Sequence, residues 1–259
     1  MGEALWAELL KVRRSRLPWV TAGAFTVCAA VGGMFMYILL DPGRARSLGL
    51  IGAKTQLSGA TADWAGYFGL LAQTVAVGGV LLYGLIVVWL FGREFSDHTA
   101  KDLLALPTSR TAVVLAKFAV AAMWSAALAV QIGVLGLAIG ALLDLPGWSP
   151  ATAAAGLAKI LVTAALTVTL TTVFAYAASA GRGYLAAVGT MIAVLFCAQV
   201  VAALGYGRTF PLSVPGVYAG LGGTDQQAPG PIGFALVLLV GAAGLVATVT
   251  WWRRADHIA

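Results

Sequence analysis

Charge is scarce in this 259-residue chain: 10% of its residues are charged against 60% hydrophobic, and the mean hydropathy is +0.91. A soluble domain carries about a quarter charged residues, so the chain reads as an integral membrane protein. Glutamate occurs only at Glu3, Glu8 and Glu94, and histidine only at His98 and His257. Neither HExxH nor GxSxG is present, which argues against an intramembrane hydrolase and leaves no catalytic or metal-site candidate. Gly52, Ala53, Lys54 and Thr55 superficially suggest a phosphate loop but lack its GxxxxGK spacing, so the chain carries no nucleotide site of its own. Cysteine is nearly absent as well. Cys28 and Cys197 both lie in apolar runs outside any CxxC or Cys/His spacing, and read as buried small hydrophobes.

What is present is a series of apolar runs long enough to cross a bilayer, which takes about 20 residues each. Residues 18–40, 66–92, 111–143, 151–180, 184–204 and 232–252 supply six. The third is long enough to be tilted or to project. Before them, residues 1–17 space Leu5, Trp6, Leu9, Leu10 and Val12 among cations, as in an interfacial amphipathic helix with its cations toward lipid headgroups. The first run is too long for a signal sequence, and Asp41, Pro42 and Gly43 offer no cleavage pattern. Residues 205–231 are rich in Gly and Pro yet carry Phe210, Leu212, Val214, Val217, Tyr218 and Leu221. They read as an outer re-entrant segment shielded by neighbouring helices. The expected fold is an all-α integral membrane domain over residues 1–259: six transmembrane helices, an N-terminal interfacial helix and a cytoplasmic polar helix.

The one long charged break is 93–117, REFSDHTAKDLLALPTSRTAVVLAK. Residues 93–107 read as a short helix with Asp97, Lys101 and Asp102 on a polar face and Leu103, Leu104 and Leu106 near its end. Pro107 stops it, and Thr108 or Ser109 caps the helix that follows. The net charge of +6 would suggest nucleic acid in a soluble protein, but here the positions of the cations matter and no nucleic acid partner is expected. Lys11, Arg13, Arg14, Arg16, Arg93, Lys101, Arg110, Lys117, Arg182, Arg253 and Arg254 fall on one side; Arg44, Arg46, Lys54, Lys159 and Arg208 fall on the other or within the bundle. The positive-inside rule then places both termini in the cytoplasm of a plasma or bacterial inner membrane. An excess of Arg over Lys, 11 to 5, together with abundant Ala, Gly and Val, fits a GC-rich bacterial genome.

An ion-coupled carrier usually buries ionisable groups near mid-membrane, and these spans hold almost none. Lys159 is the nearest candidate, with snorkelling to the outer interface as the simpler reading. Gln73, Gln131 and Gln199 either line a path or join helices, and Trp89, Trp124, Phe174 and Phe196, with Phe68, are candidate path residues or ordinary core and lipid-facing aromatics. Gly136 and Gly140 form a GxxxG that serves packing within the chain or between two copies.

Glu94, Thr99, Lys101, the run LLALP at 103–107, Ser109, Arg110 and Lys117 together resemble the pattern of the six-helix permeases of ABC exporters of the ABC-2 type, including bacitracin-resistance and lantibiotic-immunity permeases. His98 stands where many members carry Gly. The layout of interfacial helix, six spans and proline-broken outer segment resembles the same family. The resemblance implies an ABC-2 exporter fold in which residues 93–107 are the coupling helix seated in a cytosolic ABC ATPase. Leu103 and Leu104 would pack there and Glu94, Asp97 and Lys101 pair at the rim, with Phe95, His98, Thr99, Pro107 and Arg110 in the same contact. It implies two ATPase copies holding ATP and Mg, a second permease copy (identical or related), surrounding lipid, and no cofactor on this chain. The cargo would be amphipathic or lipophilic: a peptide antibiotic, a drug or a lipid-like molecule. The alternatives are an ion- or proton-coupled carrier and a non-transporting scaffold or sensor subunit.

Overall fold

A helix in lipid satisfies every backbone group within itself, so apolar residues can surround it on all sides and packing, not amphipathicity, decides which face turns inward. The computed structural model describes residues 2–47, 49, 61–99, 108–221 and 228–254, and these form ten α-helices with no strand among them. They are α1 (Gly2–Arg14), α2 (Leu17–Leu40), α3 (Pro42–Ser47), α4 (Trp64–Ser96), α5 (Arg110–Leu142), α6 (Pro150–Leu170), α7 (Thr172–Ala180), α8 (Tyr184–Ala203), α9 (Val214–Ala219) and α10 (Pro231–Arg254). Six units are long and apolar enough to cross a membrane: α2, α4, α5, α6 with α7, α8 and α10. Their starts follow local chemistry. Asp63, Ser109 and Ser149 accept from the backbone N–H of Gly66, Ala112 and Thr152, and so cap α4, α5 and α6.

α4 is the axis of the bundle. It packs against α2, α5, α6, α7, α8 and α9, and Tyr67, Leu71, Val75, Tyr83, Ile86 and Phe91 along it are fully enclosed. α8 is peripheral, with only Ala187 and Met191 buried. Cys197 is accordingly exposed on α8 and Cys28 half-buried, so neither is the buried hydrophobe the sequence suggested. The GxxxG pair is used within the chain: a Cβ at Gly136 would strike Leu71, and one at Gly140 would strike the Trp64 ring. Gly156 on α6 likewise lies against the Phe68 ring.

The fourth apolar run is not one straight helix. It breaks at Thr171, between α6 and α7. Thr171 Oγ1 donates to the Val168 carbonyl at 2.6 Å, and Thr172 Oγ1 donates to the Thr169 carbonyl at 3.0 Å and across to the Gly241 carbonyl on α10 at 2.9 Å. Hydroxyl groups that bond backward into their own helix bend it. Gly241 and Gly244 admit the bend, since a Cβ at either would meet Thr169 or Thr172. The segment before α10 contains α9, which packs over α4 and α6 at the end of the bundle where those helices begin.

Gly156→Ala should overpack the α4–α6 contact and cost about 1–3 kcal/mol, whereas Gly69→Ala, with nothing near its added methyl, should be neutral. Thermal unfolding of both variants in one detergent checks this, and equal melting temperatures would refute the close-approach reading.

Candidate functional site

α1 buries Ala4, Glu8 and Val12, one residue per turn, against the head of α5. A carboxylate in the middle of that stripe requires a partner, because an unpaired buried charge is prohibitively costly. Lys117 provides it. This lysine sits two turns into α5 with 0% exposure, and its ammonium donates to Glu8 Oε2 at 3.1 Å, Glu94 Oε1 at 2.8 Å and the Leu90 carbonyl at 2.8 Å. Lys11 donates to Glu8 Oε1 at 2.9 Å and to Glu94 Oε1 at 2.7 Å, and Thr99 Oγ1 donates to Glu94 Oε2 at 2.8 Å. Two acids and two ammonium groups thus form a net-neutral cluster in which every carboxylate oxygen accepts and all three Lys117 hydrogens are used. Burial works against the Lys11 ammonium, but Glu8 and Glu94 prevail and hold it above its ordinary value.

The cluster joins α1, α4 and α5 immediately before residues 100–107. α4 runs to Ser96, so residues 93–96, expected to open a separate helix, continue this long helix instead. It ends in a Schellman turn: Thr99 N–H donates to the Glu94 carbonyl at 2.9 Å and His98 N–H to the Phe95 carbonyl at 3.2 Å. His98 holds φ +56°, the left-handed conformation that favours glycine. That geometry explains physically why a glycine suits this position.

The expected coupling residues divide. Lys101, Leu103, Leu104 and Pro107 lie outside the described residues. Glu94 does not face a rim: at 4% exposure its carboxylate is committed inward. Phe95 packs beside Trp251 and Trp252 of α10, with ring centroids 5.6 and 5.7 Å away. Arg110 donates to the last carbonyls of α10, those of Trp252 and Arg253, at 3.3 and 3.4 Å. Asp97 and His98 are exposed, as is Thr99; Asp97 accepts from Arg93 at 2.9 Å. Glu8, Lys11 and Lys117 were not singled out as a site from sequence. Charges at 8, 94 and 117, each within or beside an apolar run, were the available signal, and only the fold shows that they meet.

The candidate path residues do not meet. Phe174 is enclosed at 1% exposure, as is Phe68. Trp124 donates to Thr21 Oγ1 at 3.0 Å and Gln131 to the Ala22 carbonyl at 3.0 Å, so both join α5 to α2. Trp89 lies under the Arg93 guanidinium, 5.0 Å from its ring centroid. Phe196 is exposed on α8. Gln73 and Gln199 border one region near α9: Gln73 donates to the Gly220 carbonyl at 3.2 Å, and Gln199 lines a cavity of about 240 Å³.

The family model described as ABC-2 family transporter protein matches residues 4–199, from α1 through most of α8. The chain belongs to the ABC-2 transporter family. Among curated proteins, a bacitracin transport permease protein, BCRB of Bacillus licheniformis, is 28% identical over 178 residues, covering 69% of this chain and 85% of that protein. The chain is therefore a multi-pass membrane permease subunit of an ABC transporter, a transport subunit and not an enzyme, and its family associates with an ABC ATPase. Family membership decides against the ion-coupled carrier.

Lys117→Met leaves two buried carboxylates facing one ammonium and should destabilise the chain by about 3–5 kcal/mol. Adding Glu8→Gln restores neutrality around the Lys11–Glu94 pair, so the double variant should be more stable than the sum of the two single losses. A double-mutant cycle on melting temperature in lipid reads the coupling; strictly additive losses would contradict the cluster.

Proposed function

We propose that this permease subunit exports an amphipathic or lipophilic compound and is driven at residues 97–107 by two copies of a cytosolic ATPase. The observation that carries the reading is the neutral charge cluster. It ties α1, α4 and α5 into one block directly before those residues, so force applied there reaches two membrane helices and the interfacial helix together. On this reading the ATPase contact is made by Asp97, His98 and the segment with Lys101, Leu103, Leu104 and Pro107, while Glu94 holds that segment's root. ATP and its Mg are held by the ATPase, and this chain needs no cofactor of its own. Two permease copies, identical or related, would move between inward- and outward-facing arrangements as largely rigid bodies.

The distribution of Lys and Arg supports a cytoplasmic α1 end and thus cytoplasmic termini, with the α6 start outside, in a bacterial membrane. The name of the bacitracin permease makes a peptide antibiotic the first cargo to test. The chain should co-purify with its ATPase, and hydrolysis in lipid should rise with the right peptide. Leu103→Asp with Leu104→Asp should abolish co-purification and leave the chain's own melting temperature unchanged. A stable complex whose hydrolysis ignores every cargo would favour a sensor subunit, and undiminished binding by the double variant would remove the coupling role.

A further inference from the structure

Lys159 is a cation within a membrane-spanning unit, and its ammonium has no hydrogen bond or ion pair among the described residues. It lies nine residues beyond Pro150 at the start of α6, about 14 Å along the helix at 1.5 Å per residue. The unit α6 with α7 has 31 residues, more than the about 20 that cross a bilayer, so its first turns can stand beyond the hydrocarbon boundary. Lys159 therefore lies in the early part of the span, where a lysine side chain can lift its ammonium to phosphate level.

The side chain does not extend into open lipid. Lys159 is half-buried, and its Nζ lies 3.8 Å from where a Cβ of Gly220 would be, with Gln73 Nε2 at 3.6 Å from the same point. Two nitrogen donors from α6 and α4 thus converge beneath the end of α9. Gln73 spends one N–H on the Gly220 carbonyl and retains the other. Gly220 has φ +95°, so a side chain there would be strained as well as crowded by both donors.

The cavity of about 240 Å³ adjoins this polar pair. It is lined mainly by apolar residues, Ala76, Val77 and Val80 of α4, Leu195 of α8, and Val217 and Leu221 on either side of Gly220, with Gln199 and Ser213 as its polar members. Gln73, Ala76, Val77 and Val80 fall at i, i+3, i+4 and i+7, so they share one face of α4. The polar end lies nearer the start of α4 and the apolar cavity runs deeper. A positive group at headgroup depth above an apolar slot is the charge and polarity order of one phospholipid, inverted in sign at the head.

We propose that Lys159, Gln73 and this cavity bind one acidic phospholipid, with its phosphate against the Lys159 ammonium and Gln73 amide and part of an acyl chain between α4, α8 and α9. The choice of an acidic lipid over a zwitterionic one follows from the cation: no carboxylate among the described residues neutralises it, and in low dielectric it favours a ligand with net negative charge. The outer-leaflet location rests on the orientation proposed above. The binding itself does not, because a detergent assay is blind to which way the bundle faces.

The test is native mass spectrometry of the full chain in detergent, titrated with phosphatidylglycerol or phosphatidylcholine of identical acyl chains. The first phosphatidylglycerol should bind at least about tenfold more tightly than phosphatidylcholine, the differential expected of one desolvated charge contact. Lys159→Gln should remove that preference and Lys159→Arg keep it, with melting temperatures unchanged because no described residue pairs with the ammonium. Val77→Trp should fill the slot and weaken both lipids alike. Equal binding of the two lipids to the unaltered chain, or a preference that survives Lys159→Gln, would overturn the proposal.

Discussion

Four charges gathered at one end of an otherwise apolar bundle, three of them enclosed and Lys11 half-buried, can exist only if they cancel and if the enclosed polar atoms are paired. Glu8, Lys11, Glu94 and Lys117 meet both conditions, with Thr99 and the Leu90 carbonyl completing the shell. A hydrophobic replacement of similar shape would give comparable stability. The ionic version adds directionality: every carboxylate oxygen accepts and all three Lys117 hydrogens are used, so three helices are held in one register. That register sets where α4 ends and α5 begins, and so where the residues between them start.

The rest of the bundle uses a different economy. Lipid tails are as apolar as leucine, so helix association relies on close packing more than on expulsion of water. Glycines are therefore placed opposite large rings: Gly140 against Trp64, Gly156 against Phe68, Gly84 against Phe174. Most polar groups inside this packing bond across helices or back along their own, the buried Tyr83 and Ser125 hydroxyls excepted. Trp252 Nε1 donates to Ser179 Oγ at 3.0 Å and Tyr67 donates to the Ala29 carbonyl at 3.3 Å. The threonine-rich break between α6 and α7 belongs to the same logic, with hydroxyls satisfied within the protein where lipid offers no partner.

Span number was legible from sequence because an apolar run of membrane length has few other meanings. The polar break and its Ser109 cap were legible because proline and serine act locally. Tertiary facts were not. Nothing in the run of residues 151–180 distinguishes a straight helix from one bent by Thr171 and Thr172, since the bend depends on the glycines of α10 admitting it. The family resemblance implied a rim position for Glu94 beside Asp97 and Lys101, and Arg93 and Asp97 next to it do reach the surface. A helix turns by 100° per residue, however, and one step around α4 carried it from the exposed face to the buried one. Lys117 stands in the sequence as a cation on the cytoplasmic side and as the later lysine of the ABC-2 pattern; its complete burial depends on a partner 109 positions earlier.

The same geometry determines how far a push at the α4–α5 connection would travel. α1, α4 and α5 are joined by the cluster, and Phe95 and Arg110 fasten that block to the end of α10 through ring packing and the last carbonyls of the helix. Through Trp252 and Ser179, α10 is in turn fixed to α7. At this end the helices are therefore cross-linked by directional contacts, while α8 has two buried residues and is held near its far end by Ser213 Oγ, which donates to the Ala198 carbonyl at 2.8 Å. On the other side of the Thr171 break, α6 packs against α4, α5, α9 and α10, with Gly156 against the Phe68 ring and Leu166 and Leu170 clustered with Val237 of α10. The directional contacts are thus concentrated where the α4–α5 connection meets the bundle, and α8, packed on α4 and α7 with few enclosed side chains, stands outside that cross-linked block.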